Sequence, residues 1–261
     1  MRRIFIADAH LRHPDDHGYR MLLQFLNSIG RETGTLYILG DLFEFWIGYR
    51  ENPFKHYQPI LDTLKALVAG GTRLVYFEGN HDFHLGPFFE SDLKAEIHTG
   101  PAILDIEGRR ICCCHGDEIN RRDYSYRLLR AIFHSEGTRL MSRIFPPAVA
   151  IAIAEHLGNA SKKRHPVRRQ KGDYLKLCRE YAQERFAGGC DLVVSGHFHT
   201  PYEATESGKT MVCLGDWITQ FTYGEWENGT IVLKRFSGEM SSGPKARGKK
   251  DAGNAQPALS R

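Results

Sequence analysis

The sequence has no run of about 18 or more apolar residues, the length a bilayer-spanning helix requires. No membrane span is therefore expected. Its six cysteines (Cys112, Cys113, Cys114, Cys178, Cys190 and Cys213) form no C-x-x-C pair, which argues against a thiolate metal site or a redox pair. There is no internal repeat. Net charge is also scarce: of a formal +4, residues 237–261 carry +3 (five Lys/Arg against two Asp/Glu), which leaves +1 for the rest. A globally basic nucleic-acid binder is excluded on that ground, and no nucleic-acid partner is expected. The opening MRRIFIADAHL is too short in apolar residues before Asp8 and His10 for a signal peptide. A cytoplasmic protein with free thiols is expected. The three consecutive cysteines in RRICCCHGD read as strand residues that act as small apolar groups, with neighbours on opposite faces.

What is present suffices for a core: 261 residues with 41% apolar content. Short apolar runs at 3–7, 36–40, 72–79, 102–106, 109–114, 191–196, 210–215 and 229–236 read as strands. Segments 19–30 and 56–69 have helical apolar spacing and stop at glycine. The alternation predicts an α/β sandwich, sheet inside and helices outside. Residues 123–187 are mostly helical in pattern and too long for one loop, so a helical cap inserted near the site is expected. The domain is then 1–236. The tail 237–261, rich in Gly, Ser, Pro and Ala, is expected to be disordered.

Five of the strands end in polar blocks: D-A-H at 8–10, G-D-L-F-E at 40–44, G-N-H-D at 79–82, H-G-D at 115–117 and G-H-F-H at 196–199. Ligands of α/β sheets bind beyond the carboxyl ends of strands, so five such ends can converge on one place. Asp, Asn and His are oxygen and imidazole donors, suited to Mn²⁺, Zn²⁺ or Fe²⁺. In an extended D-x-H or H-x-H, residues i and i+2 share a face and can clasp one metal. The glycines before Asp41, Asn80 and His197 let the chain turn out of each strand. A metal site built from Asp8, His10, Asp41, Asn80, His115, His197 and His199 is expected.

This motif set resembles that of the calcineurin-like metallophosphoesterases over residues 8–199. The resemblance implies a two-sheet β-sandwich flanked by helices and two divalent metals. One metal would be held by Asp8, His10, Asp41 and His199, and the other by Asp41, Asn80, His115 and His197, with Asp41 shared. Water between two such cations loses a proton more easily, and both charges neutralise the phosphoryl oxygens. His81 and Asp82 are the expected catalytic residues. His81 would protonate a leaving oxygen or bond the phosphate, and Asp82 would orient a neighbouring imidazole.

A second layer narrows the substrate. GDLFEFWIG (40–48) and HGDEINRRDYSYR (115–127) look like blocks of the UDP-2,3-diacylglucosamine pyrophosphohydrolases of lipid A synthesis. That resemblance implies cleavage of a nucleotide-sugar lipid to UMP and an acylated sugar 1-phosphate, with Mn²⁺ as the usual metal. Substrate contacts are expected from Asn80, His197, Asp123 and Tyr126 and, by residue type, from Ser161, Lys162 and Lys171. In the cap, the apolar run 144–154 precedes SKKRHPVRRQK (161–171), with six Lys/Arg in eleven positions. Such a pair suits a phosphorylated lipid and peripheral contact with an anionic inner-membrane surface; it equally describes a buried cap helix and a solvated loop. The best-known members have Arg where His81 stands, so this contact changes from guanidinium to imidazole. A general metallophosphoesterase acting on another lipid diphosphate, a cyclic nucleotide or a nucleic-acid phosphodiester, and a non-catalytic metal-binding scaffold, remain as alternatives.

Overall fold

The computed structural model describes residues 1–48, 54–121 and 171–238, with isolated positions 124, 128, 130, 131, 135 and 137 between them. Thirteen strands are present among them: β1 Arg2–Ile6, β2 Thr33–Leu39, β3 Trp46–Ile47, β4 Arg73–Phe77, β5 Asp82–Phe83, β6 Glu96–His98, β7 Ala102–Ile106, β8 Arg109–Cys114, β9 Leu192–Ser195, β10 Tyr202–Glu206, β11 Lys209–Cys213, β12 Thr222–Glu227 and β13 Thr230–Arg235. The helices are α1 His17–Ile29, α2 Gln58–Ala69 and α3 Lys171–Ala187. No helix among the described residues is long and apolar enough to cross a membrane.

The strands form a six-stranded sheet, β13-β12-β1-β2-β4-β6, and a five-stranded sheet, β10-β11-β9-β8-β7. In the first, β1, β2, β4 and β6 run parallel. In the second, β8, β9 and β11 do. The antiparallel strands β12, β13, β7 and β10 lie to the sides. This is the sandwich that the sequence blocks implied.

Alternation within each strand divides the core into three layers. Phe5, Tyr37, Leu39, Val75 and Phe77 of the large sheet meet Ile111, Cys113, Leu192, Val194 and Val212 of the small one. The opposite faces of the same strands, with Ile4, Ile6, Leu36, Ile38, Leu74 and Tyr76, pack on α1 and α2 through Leu22, Phe25, Leu61 and Leu64. Beneath α3, Cys112, Cys114, Val193 and Cys213 meet Cys178, Tyr181 and Ala182. All six cysteines are free and buried, and the 112–114 trio alternates faces as a strand should.

The aromatic stretch after Asp41 has a packing role. Phe43 and Trp46 are buried against Tyr57 and Phe89, and Trp46 Nε1 donates to the Leu85 carbonyl at 3.1 Å. The loop after β2 is thereby anchored at both ends. Of the expected cap, α3 occupies the C-terminal part; the apolar run 144–154 and most of the basic cluster lie outside the described residues, as does most of the tail.

Candidate metal centre

The parallel strands of both sheets point their carboxyl ends the same way. β1, β2 and β4 deliver Asp8, His10, Asp41 and Asn80; β8 and β9 deliver His115, His197 and His199. The exits of β1 and β2 stay paired beyond the strands: the Asp8 amide donates to the Gly40 carbonyl at 3.2 Å and the His10 amide to that of Asp41 at 2.9 Å.

The local conformation differs from the extended one expected of D-x-H and H-x-H. Asp8, His10, Asp41, His197 and His199 have φ of 55°, 43°, 53°, 71° and 50°. This left-handed region costs an L-residue roughly 1–2 kcal/mol. The turn is therefore made by the donors themselves. Gly40 shares the left-handed conformation, with φ of 81°. Gly79 and Gly196 serve close approach instead: a Cβ on Gly79 would collide with Asp41 Oδ1, and one on Gly196 would lie 2.6 Å from Asp8 Oδ2.

Two trios result, Asp8/His10/His199 and Asp41/His115/His197, the donor atoms of each within 4.8 Å of one another. Each carboxylate has one oxygen tied to the backbone and one turned inward. Asp8 Oδ2 accepts the His197 amide at 2.7 Å, while buried Asp8 Oδ1 has no hydrogen-bond partner. Asp41 Oδ1 accepts the His81 amide at 2.9 Å, while Oδ2 lies 3.5 Å from His10 Nε2 and 3.4 Å from His115 Nε2. Asp41 thus stands between the trios. Buried His10 Nε2 is without a hydrogen-bond partner too. His115 Nδ1 donates to the Leu39 carbonyl at 2.8 Å, which turns Nε2 inward. Nε2 meets Asn80 Oδ1 at 3.1 Å and His197 Nδ1 at 3.3 Å, with His197 Nδ1 also 3.1 Å from Asn80 Oδ1.

Buried carboxylate oxygens turned among imidazole nitrogens, as Asp8 Oδ1 and Asp41 Oδ2 are, suit a cation. The electrostatics agree. Burial opposes a charge on His115, yet Asp41, Asp8 and Asp117 outweigh it and hold the imidazole well above the usual histidine range. Burial, then the neighbouring His115, pushes His197 down to about 3. Burial likewise opposes the Asp41 charge, but His115, His81 and His10 keep its carboxyl well below the usual range. The pocket demands positive charge, and the seven expected donors fit a pair of divalent cations.

His81 lies beside this cluster, its ring edge-on to His10 at 4.7 Å. Its Nδ1 donates to the Glu44 carbonyl at 2.8 Å, which fixes that proton and leaves Nε2 for a phosphate or a leaving oxygen. His81→Ala is expected to slow turnover by roughly 10²–10⁴, the range of general acid–base help. Metal content should stay near wild type, because the contact to Asp41 is made by the backbone. An unchanged rate would remove His81 from the chemistry.

Asp82 has a different place from the one expected. It meets no imidazole by hydrogen bond. Its carboxylate accepts the amides of Asp41 at 2.9 Å, Leu42 at 2.6 Å and Gly79 at 3.0 Å, and the Tyr76 hydroxyl at 2.6 Å. Burial, then the Asp41 charge, pushes it up to about 7. Fully buried, Asp82 ties the Asp41 loop to the Asn80 loop and does not face a substrate. Asp123, Tyr126, Ser161 and Lys162 lie outside the described residues; Lys171 opens α3, but its side chain is outside them.

Three carboxylates near the centre were missed in the sequence. Glu44 Oε2 is 3.5 Å from His10 Nδ1, and Asp216 Oδ2 is 3.5 Å from His199 Nδ1. Asp117 is buried beside His115 and accepts Arg130 Nε at 2.5 Å. Gly215-Asp216 follows β11 as Gly40-Asp41 follows β2, and that repetition was the available signal.

Comparison with known proteins accords with this arrangement. The family model described as calcineurin-like phosphoesterase matches residues 1–201. A UDP-2,3-diacylglucosamine hydrolase of Aeromonas salmonicida is 31% identical over 227 residues, covering 84% of this chain and 87% of that one. Its namesake in Stenotrophomonas maltophilia is 31% identical over 248 residues, 89% and 99% of the two chains. The protein of that name in Pseudomonas aeruginosa is 30% identical over 226 residues, 84% and 92%.

Proposed function

The chain belongs to the calcineurin-like phosphoesterase family and is a metal-dependent hydrolase, and from that premise we propose that it cleaves the diphosphate of UDP-2,3-diacylglucosamine. The products are UMP and 2,3-diacylglucosamine 1-phosphate, an intermediate of lipid A synthesis. The observation that carries the chemistry is Asp41 Oδ2, placed within 3.5 Å of His10 on one side and His115 on the other. The substrate follows the relatives that share about 30% of their residues over nearly their whole length.

Asp8, His10, Asp41 and His199 would hold one cation, and Asp41, Asn80, His115 and His197 the other. The donor set suits Mn²⁺, Zn²⁺ or Fe²⁺, and Mn²⁺ is the one that the resemblance to the UDP-2,3-diacylglucosamine pyrophosphohydrolases implies. Such a pair lowers the pKa of water and neutralises phosphoryl charge. The protein groups do the rest. Asn80 and His197 are partly exposed and are read here as contacts to the phosphate as well. His81 Nε2 hydrogen-bonds the departing phosphate oxygen, and Asp82 keeps the loops of Asp41 and Asn80 in register.

Within this reading residues 1–236 are the catalytic domain and 123–187 its cap. Acyl chains contact the run 144–154. Asp123, Tyr126, Ser161, Lys162 and Lys171 bind the polar part of the substrate. The protein works from the cytoplasm, touching the inner membrane peripherally.

The test is product analysis with Mn²⁺ in ¹⁸O-labelled water. Water attacks the α-phosphorus, so the label is expected in UMP. Label in the acylated sugar phosphate would place attack on the β-phosphorus, and absence of both products would overturn the substrate assignment.

A further inference from the structure

Phe198 stands between two of the expected ligands and offers no donor atom of its own. His197 belongs to one trio and His199 to the other. Both have left-handed backbone, with φ of 71° and 50°. The Phe198 amide donates to the Gly196 carbonyl at 2.9 Å, which closes a three-residue turn about His197. With a positive φ at its centre, this is the strained form of the γ-turn, rare in proteins. Strained residues persist only where their surroundings over-determine them.

Part of that hold is polar. The His197 amide donates to Asp8 Oδ2 at 2.7 Å, and Gln220 Nε2 donates to the His199 carbonyl at 3.0 Å. Another part comes through the Phe198 ring. It lies edge-on to the His197 ring at 5.1 Å. It also lies 5.2 Å from the ring of Tyr174 on α3, tilted by 39°. With Leu177 and Tyr202 it packs against the layer of Cys112, Cys114, Cys178 and Tyr181. Aromatic pairs of this kind gain more than the area they bury. A different contact ties α3 to β10: Arg179 Nη2 donates to the Tyr202 hydroxyl at 2.6 Å.

We propose that Phe198 is a positioning residue: its ring, seated on Tyr174 and the layer beneath α3, holds the strained turn from which His197 and His199 reach the two metal positions. The proposal rests on the dinuclear reading above. One apolar side chain then serves both cations, where each of the two imidazoles serves one. It also joins the cap to the metals, because α3 is the segment through which the insertion 123–187 returns to β9.

The experiment is titration of the chelator-stripped full-length protein with Mn²⁺, free Mn²⁺ being read by electron paramagnetic resonance. Wild type is expected to bind two equivalents. Phe198→Ala should weaken both, each by about 10-fold, the low end of the range for groups that orient metal ligands. Tyr174→Ala leaves the loop itself unaltered and should act in the same direction. The double variant should bind no more weakly than Phe198→Ala, since both changes break one contact. Arg179→Ala removes the contact of α3 with β10 and should leave both equivalents as in wild type. Should Phe198→Ala lose its fold, Phe198→Leu keeps apolar bulk without the ring and carries the same expectation. Unchanged affinity in the folded variants, or weakening of one equivalent alone, overturns the proposal. Equal weakening by Arg179→Ala overturns it too, because any loosening of α3 would then suffice. A single equivalent in wild type that Phe198→Ala still weakens would keep the positioning role and sink the dinuclear reading instead.

Discussion

Asp41→Ala is expected to abolish phosphoester hydrolysis and to cost the protein metal at both positions. The inward oxygen of Asp41 is within reach of both trios, 3.5 Å from His10 Nε2 and 3.4 Å from His115 Nε2. Removing it takes away negative charge that each cation would share and leaves His115 Nε2 facing Asn80 and His197 with no carboxylate between them. Under the proposed dinuclear mechanism loss on the order of 10⁴-fold or more is expected, since charge neutralisation by both cations would underlie the rate. Alanine is also poorly suited to the left-handed backbone at this residue, φ 53°. Asp41→Asn is the cleaner companion, because Asn tolerates that conformation and keeps the shape while removing the charge. His10→Ala should affect mainly one metal. Elemental analysis decides: an Asp41→Ala protein that still holds two equivalents would end the shared-carboxylate account.

UDP-N-acetylglucosamine is expected to be a very poor substrate beside the diacylated molecule. Each buried methylene contributes about 0.8 kcal/mol, so five buried methylenes give about 4 kcal/mol. That is about 10³-fold in affinity. Binding energy from chains remote from the diphosphate can also be used to position it over the metals. Ile151→Asp or Ile153→Asp, in the apolar run 144–154, should reduce cleavage of the lipid far more than that of bis(p-nitrophenyl) phosphate. Equal loss on the two substrates would make the run ordinary core. Equal cleavage of acylated and unacylated UDP-sugars would remove the lipid from the proposal and leave the phosphoesterase.

Most of the strands legible in the sequence were central ones, and β7 and β13, partly exposed at the sheet sides, were legible too. β1, β2, β4, β8, β9 and β11 are the parallel strands at the heart of the two sheets, and such strands read as continuous apolar runs. Each ends where a donor or its partner begins, so the site could be listed as strand ends. The strands that escaped notice, the two-residue β3 and β5 together with β6, β10 and β12, have no such run. β10 (YEATE) is half to fully exposed along its length and reads as loop. β12 (TYGEWE) mixes Gly and Glu with its buried residues. Within the site, residue types were legible and conformations were not. Nothing in D-A-H or H-F-H tells an extended segment from one whose donors are left-handed. Nor does spacing reveal that Asp82 bonds backbone amides of a loop about forty residues away, or that Asp216 stands behind His199: these are contacts across the fold, invisible to local pattern.

The left-handed backbone at Asp8, His10, Asp41, His197 and His199 has a consequence for how this chain can change over time. Each is a position where glycine would relax the backbone, and two of the five are buried carboxylates that repel one another. Stability alone would therefore erase these side chains among the first. A lineage that ceased to use the site could drift toward a sturdier, inert sandwich by single substitutions at the mouths of the strands, without disturbing any of the three packed layers. The fold outlasts the activity readily; the reverse path, from a relaxed sandwich back to five strained donors, must give up stability at every step before any metal is held.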